Sequence, residues 1–572
     1  MSLELRAGPD TLVDGTEKAE LSTTRLGSDV AIKQEEEGQG NASEGAERYL
    51  TGKELVLTFS GLLLALLVSS LDLTIVGTAL PTIVSDFDAL GQVTWVPTAY
   101  LLTTVAFTLP TGQLLSLYPT KYIYILSIVI FELGSLLCAV STSMNFLIIG
   151  RAVAGIGNTA INVCVVWAIA QIARLETRPA LFGCIGVIYA LSSVLGPLVG
   201  GAFTARVTWR WCFYMNLPIG VVTLFISYFM PHKQAPATPN SPATMSTRRK
   251  LLEVDWIGFL ISLGTVVAFL FPLQFGGNTY PWNSANVIVP LVISVVGLAL
   301  FLWWQGRMGN RALLPWHVIR RPLVASSFVA FCNFYGLMVG IYYIPLWYQS
   351  QGRNAIQSGI DILPLLLSCV GASIVVGAFA NATGRYWPVM VICPLFYSIG
   401  SGLLYTLNIG SPEGKLIGYQ IIAGIGIGST LQMPEISTQA ELAHEEELIP
   451  QATGMCSFIE GLGGVVGLAI AGAVFLNQLT SNLHQYAPEL PSSVAVSVQQ
   501  SITYIFTLPA SEQGAVVQAY VRTLDQVFLV GVPIGAISSL VSLTCVHNHN
   551  LKTRTPTPPP EKEGGRSDTA EL

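Results

Sequence analysis

An all-α membrane protein of fourteen spans is the fold class this sequence predicts, and three observations lead to it. Hydrophobic residues make up 51% of the 572 and charged residues only 11%, where a soluble domain carries about 25% charged. Fourteen apolar runs are each near the ~20 residues needed to cross a bilayer as a helix. With the N-terminus inside, 22 of the 28 Lys and Arg fall on one side of the array and five on the other, with Arg151 left inside a helix. That asymmetry orients the chain by the positive-inside rule and puts both termini in the cytoplasm.

The elements follow in order. Residues 1–54 are polar and acidic, with the run Glu35-Glu36-Glu37, and read as a disordered cytoplasmic tail without a secretory signal peptide. A first bundle of six helices covers 55–230, with spans near 56–78, 94–116, 122–141, 145–171, 180–203 and 211–230. A Pro/Ser/Thr-rich cytoplasmic linker, 231–255, leads to two extra helices in 256–304 (256–275 and 286–304), and a basic linker follows at 305–322. The second six-helix bundle, 323–546, has spans near 323–347, 358–380, 388–408, 415–434, 454–476 and 526–546, with an external loop at 477–525. Residues 547–572 form a cytoplasmic tail. The expected fold is therefore two six-helix bundles with two transmembrane helices inserted between them.

The halves repeat. LIIGRAVAGIGN, from Leu147, aligns with LIGYQIIAGIGIG, from Leu416, so that Arg151 falls on Gln420, Gly155 on Gly424 and Gly157 on Gly426. GPLVGG at Gly196 has a weaker counterpart in GLGGVVG at Gly461. Parallel six-helix repeats are a transporter architecture, with substrate held between the halves near the midplane. The fifth span carries Gly196, Pro197, Gly200 and Gly201. In a soluble helix Pro costs about 3 kcal/mol and each Gly about 1, whereas in a bilayer missing side chains let another helix approach. Gly196 and Gly200 share a face, Pro197 and Gly201 an adjoining one. This packing or gating surface is expected to meet one of the last six helices.

Charges inside spans are costly, at least about 2.5–3.5 kcal/mol each, and usually mark function. Asp72 and Arg151 lie at matching depth, roughly 9–12 Å below the outer surface at ~1.5 Å per residue, and can pair. Glu132 lies deeper in the third span. Glu460, beside the glycine-rich GLGG, and Gln420 are expected to line a central cavity, as are Tyr335 and Tyr342 of the ninth span. The run Glu441, His444, Glu445, Glu446 and Glu447 reads as a solvated loop, and no metal site is expected. The nine cysteines lie in or at the ends of apolar runs with no CxxC pair, against a disulfide framework or zinc site. Neither sequon, at Asn41 or Asn381, faces outward, and no Walker-type stretch occurs, so no ATP site or other cofactor is expected. Nothing suggests a nucleic-acid partner.

Several segments together resemble the major facilitator superfamily, specifically its fourteen-helix drug:H+ antiporters in the fungal efflux branch. These are LDLTIVGTALP (Leu71–Pro81), LIIGRAVAGIGNTA (Leu147–Ala160), the G-P-x-x-G-G of the fifth span, WRWCFYMNLPIG (Trp209–Gly220) and the stretch Trp256–Trp282. The loop GQLLSLYPTK (Gly112–Lys121) departs from the family's G-x-x-x-D-x-x-G-R-K: Ser116, Pro119 and Thr120 replace the acid, the glycine and the arginine, whereas Gly384 and Arg385 are kept in the matching loop of the second half. The resemblance ties Arg151 to proton coupling, and Asp72 and Glu132, as charges within spans, are the candidate carboxylates to take the proton. The resemblance also implies export of small hydrophobic compounds (drugs, toxins or fungal secondary metabolites) by alternating access in the plasma membrane, or the vacuolar one. Proton, lipid bilayer and small-molecule substrate are the expected partners. Uptake, for instance of siderophores, and a non-transporting nutrient receptor are the alternatives; enzymatic chemistry is not expected, because the six histidines are scattered.

Overall fold

In a computed structural model of the chain, the described residues are 50–552, apart from 51, 90, 91, 93, 94, 230–246, 278, 279, 354 and 501. The expected N-terminal tail, most of the 231–255 linker and most of the C-terminal tail lie outside them. The described part is almost entirely helical. The principal helices are α1 (Gly52–Phe87), α2 (Trp95–Leu117), α3 (Thr120–Ala139), α4 (Met144–Ile172), α5 (Arg178–Arg206) and α6 (Trp211–Tyr228). Then come α7 (Trp256–Phe275), α8 (Ala285–Met308), α9 (Arg321–Ser350), α10 (Leu363–Thr383) and α11 (Trp387–Tyr405). The last three are α12 (Glu413–Glu441, interrupted at Leu431 and Gln432), α13 (Ile449–Tyr486) and α14 (Ala510–Cys545, interrupted at Val530).

Among the described residues, 13 helices are long and apolar enough to cross a membrane. The expected fourteenth, α2, is a 23-residue helix that falls outside that group. Its sequence explains why: Thr98, Thr103, Thr104, Thr108, Thr111 and Gln113 lower its apolarity. Several of these hydroxyls bond back to carbonyls of their own helix, such as Thr108 to Thr104 O at 2.8 Å. The outer surface is strongly apolar. Along α8, Val295 is 68% and Val296 62% exposed, a surface that water would disfavour and lipid accepts.

One expectation fails at 477–525. Instead of a loop, α13 runs on to Tyr486, a helix forms at Ser492–Gln500, and α14 begins at Ala510. Apolar residues at helical spacing account for this. Leu479 and Leu483 on one side and Val516, Ala519 and Tyr520 on the other close over Val498 and Ile505 as a small core. Asn482 donates to Thr523 Oγ1 at 2.9 Å within it.

The sequence repeat reappears as repeated packing. A Cβ on Gly155 would collide with Tyr100 O on α2, and one on Gly424 with Leu365 O on α10. Gly157 lies against the backbone of Phe131 on α3, and Gly426 against that of Tyr397 on α11. Gly134 and Gly400 reciprocate, against Ala154 on α4 and Ala423 on α12. Close backbone passage of this kind is how helices associate where lipid supplies no hydrophobic drive.

The helices α7 and α8 pack on each other, and α7 also contacts α2 and α13. Asp255 caps α7 by accepting from Gly258 N at 2.7 Å, and it also accepts from Trp304 Nε1 of α8 at 2.8 Å. Gln113, at the end of α2, accepts from Asp255 N at 3.1 Å and donates to Arg311 O at 2.8 Å. The pair is thus pinned to α2.

The packing makes a sharp comparison. Gly157→Ala and Gly426→Ala each force backbone apart and should destabilise by about 1–3 kcal/mol. Gly371→Ala, with nothing within 4 Å of the new Cβ, should be neutral or slightly stabilising, since Ala is the better helix former. Thermal unfolding in detergent checks this; equal melting temperatures for all three would refute the close-passage account.

Candidate functional site

In the first group of helices, Arg151 Nη1 donates to Asp72 Oδ2 at 2.5 Å, with the side chains 1% and 0% exposed. The guanidinium lies over the Tyr100 ring, 4.1 Å from its centroid, with the Phe213 ring at 5.9 Å. Asn216 Nδ2 donates to Asp72 Oδ1 at 3.2 Å and to Ser135 Oγ at 3.1 Å. Three helices besides α1 therefore supply partners to the carboxylate or to its cation, and α3 joins them through Ser135, which accepts from Asn216. Such a pair holds only when its remaining lone pairs and protons are satisfied, and here Arg151 Nε alone has no partner. Asn216 is the residue sequence reasoning missed, although it stands in the Trp209–Gly220 segment.

Glu132 is set apart from this pair. It is within electrostatic reach of Asp72, but it does not bond to Arg151, and its Oε2 lacks a partner. Its carboxyl lies against Gly220 of α6, where any Cβ would overlap it.

The second group holds no ion pair at the matching place. Gln420 is fully buried and donates to Tyr348 OH at 2.9 Å. Tyr335 is likewise buried, among Val339, Ala471 and Val527. Both were expected at a cavity wall; in this structure each is fully buried. Tyr342 is 54% exposed.

The carboxylates of the second group sit elsewhere. Glu435, in the last part of α12, is 3% exposed and accepts from Ser457 Oγ at 2.9 Å, while its Oε2 has no partner. Glu460 follows Ser457 by three residues on α13, hence on the same face, and is partly accessible. Both are within electrostatic reach of Tyr189 on α5. Tyr189 OH donates to Asn162 Oδ1 at 2.7 Å, and Asn162 donates to Asn158 Oδ1 at 2.9 Å. Among the described residues neither glutamate has a cationic partner. This cluster joins α4 and α5 to α12 and α13. Glu435 was overlooked because MPEISTQAE reads as a polar connection rather than a helix.

Close by, the two groups of helices meet. Arg178 Nη1 donates to Gln439 Oε1 at 3.0 Å. A Cβ on Gly112 would lie 3.0 Å from Pro450 O, and one on Gly377 2.6 Å from Pro179 O. Arg178 and Arg320 both belong to the bases that the sequence assigns to the cytoplasmic side. There Arg320 donates to both oxygens of Glu445 at 2.7 Å, which holds the Glu445 carboxyl below its ordinary value.

The glycine-proline surface of α5 needs a correction. α5 does pack on α10, but through Gly183 and Gly186, which approach Ile374 and Ser373. Gly196 and Gly200 instead receive Thr74, Ile75 and Thr78 of α1, and Gly201 has open space beside it. The reason is local: Thr74 Oγ1 donates to Ser192 O at 2.9 Å and draws α1 into the groove. Gly463 and Gly467 of α13 meet α9 in the same way.

Two further features fall outside the expected site. Asp525 of α14, placed by sequence in a loop, is 1% exposed, with Arg522 Nη1 at 3.5 Å. A cleft of about 610 Å³ is lined by Tyr348, Asp361, Ser368, Ile417 and Ile421. Its isoleucines Ile360, Ile417 and Ile421 are exposed, and neither Glu435 nor Glu460 lines it.

Removing one partner of a buried ion pair costs about 3–5 kcal/mol, because the other charge is stranded. Asp72→Ala and Arg151→Ala should each lower the melting temperature more than the double variant does. A double variant that is the sum of the two singles would show that no energetic coupling joins them.

The family model of the Major Facilitator Superfamily matches residues 62–468. An MFS-type efflux pump of Arthroderma benhamiae is 37% identical over 498 residues, covering 86% of this chain and 92% of that protein. An efflux pump of Aspergillus niger is 38% identical over 515 residues, 88% and 90% of the two chains. Among solved structures, a proton:xylose symporter superposes with a TM-score of 0.57 at 13% identity, covering 88% of this chain and 98% of that one; this likeness concerns the fold. The helical array, its internal repeat and these matches place the chain in the Major Facilitator Superfamily, as a multi-pass membrane transporter.

Proposed function

We propose that the chain exports small, largely apolar organic compounds in exchange for protons. The single observation that carries the coupling is the Glu435–Glu460–Tyr189 cluster: two carboxyl groups with no cationic partner among the described residues, where the two groups of helices meet. A charge buried there is expensive, so the site favours states in which a proton, or a substrate that shields it, is present. The relatives named efflux pumps support the outward direction. The basic end lies in the cytoplasm by the positive-inside rule, with both termini, and the plasma membrane is the proposed location.

In this mechanism, helices in 55–230 and 323–546 rock against each other, and 256–304 is the insert. Asp72 and Arg151 hold the first group in one arrangement. Separating them strands two buried charges, and protonation of Asp72 removes one of them. Glu132 relays the proton, and Glu435 and Glu460 couple it to the substrate space. The glycines of α5 let α1 lie close while this happens.

Proteoliposomes with an imposed pH gradient test the proposal. Transport should persist without ATP, collapse with a protonophore, and fall at least tenfold in Glu435→Gln and Arg151→Ala at normal membrane levels. Accumulation in the opposite direction would favour uptake, and ligand binding without flux would favour a receptor; either result sinks the reading.

A further inference from the structure

Just past α14, the chain is tied down in an extended course. Trp387 Nε1 donates to Val546 O at 3.1 Å and Tyr386 OH to His547 O at 2.8 Å. Leu551 N donates to Gly384 O at 2.9 Å, and Arg385 pairs with Asn550 as an antiparallel bridge. Gly384, at φ +72°, closes α10 and has no room for a side chain, because Asn550 occupies that space. In an extended chain alternate side chains share a face, so His547 and His549 point the same way.

Both reach Glu441, the last residue of α12. His547 Nδ1 lies 3.1 Å and His549 Nε2 2.7 Å from Glu441 Oε2. One ligand atom from each of the three lies within 4.8 Å of the others. Glu441 is 15% exposed, the histidines 60% and 44%, so one side of the group is open to water. A carboxylate at a helix C-terminus opposes the helix dipole, and a cation there offsets it. Arg320 and Glu445, paired with one another, lie within electrostatic reach of Glu441.

We propose that Glu441, His547 and His549 form a binding site for a divalent transition-metal ion, zinc being the best match. Two imidazole nitrogens, one carboxylate oxygen and a water are a familiar zinc ligand set, with bonds of about 2.0–2.2 Å. A tetrahedral ion at that bond length holds its ligands a little over about 3 Å apart, so only small shifts of two exposed rings are needed. The ion fastens the chain after α14 to the end of α12, six residues from Glu435. The inference is independent of what the transporter carries.

The test uses the full chain, purified with a tag free of histidine, and ZnCl2 against a chromophoric chelator. One ion per chain with micromolar or tighter Kd is expected. The double variant His547→Ala/His549→Ala should weaken binding at least about tenfold, as should Glu441→Gln, while Asn548→Ala should not. CoCl2 should give the visible absorption of a four-coordinate nitrogen–oxygen site, lost in the double variant. The altered histidines lie beyond the helices, and an unchanged size-exclusion profile confirms folding. Absence of binding below about 1 mM, or equal affinity in the double variant, overturns the proposal.

Discussion

Close passage of helix backbones is the constraint on which the rest depends. α4 can lie against α2 and α3 only because Gly155 and Gly157 leave room for Tyr100 and Phe131. That approach carries Arg151 to Asp72 and sets its guanidinium over Tyr100. A bulkier α4 would keep the charges apart, and neither could then stay ionised at low cost in the membrane interior. Packing and charge are therefore one problem here: the glycines decide where the arginine sits, and the arginine decides which carboxylate can be tolerated.

The second group of helices uses the same glycines with different chemistry. α12 passes α10 and α11 through Gly424 and Gly426, yet Gln420 stands where Arg151 would be and bonds a neutral tyrosine. Without a cation at that position, its acids are displaced to Glu435 and Glu460, toward the junction with α4 and α5. One scaffold thus holds a sealed ion pair in one half and, in the other, carboxyl groups without a cationic partner among the described residues.

What could be read from the sequence follows from contact range. The Arg151/Gln420 register and the apolar runs are local patterns, and each run overlaps a helix, although several helices extend beyond it. The depth argument for Asp72 and Arg151 worked on geometry because both are referenced to one membrane surface. Glu435 was hidden by a polar stretch that packs as helix only because Ser457 and the neighbouring helices receive it. The residues 477–525 looked like a loop because Leu479 and Val516 belong to one core yet lie far apart in the chain. The partner of Gly196 was misjudged for the same reason: a small face shows that something comes close, not which helix does.

The hold of Gln113 on Asp255 and Arg311 has a mechanical consequence. It fastens α7 and α8 to the end of α2 through uncharged hydrogen bonds, where the loop after α2 lacks the usual acid and arginine. If the first group tilts, α8 swings with it like an outrigger, sweeping its valine and isoleucine flank through the surrounding lipid. The bilayer then becomes a load on the cycle, and its thickness and stiffness enter the turnover of the machine along with its cargo.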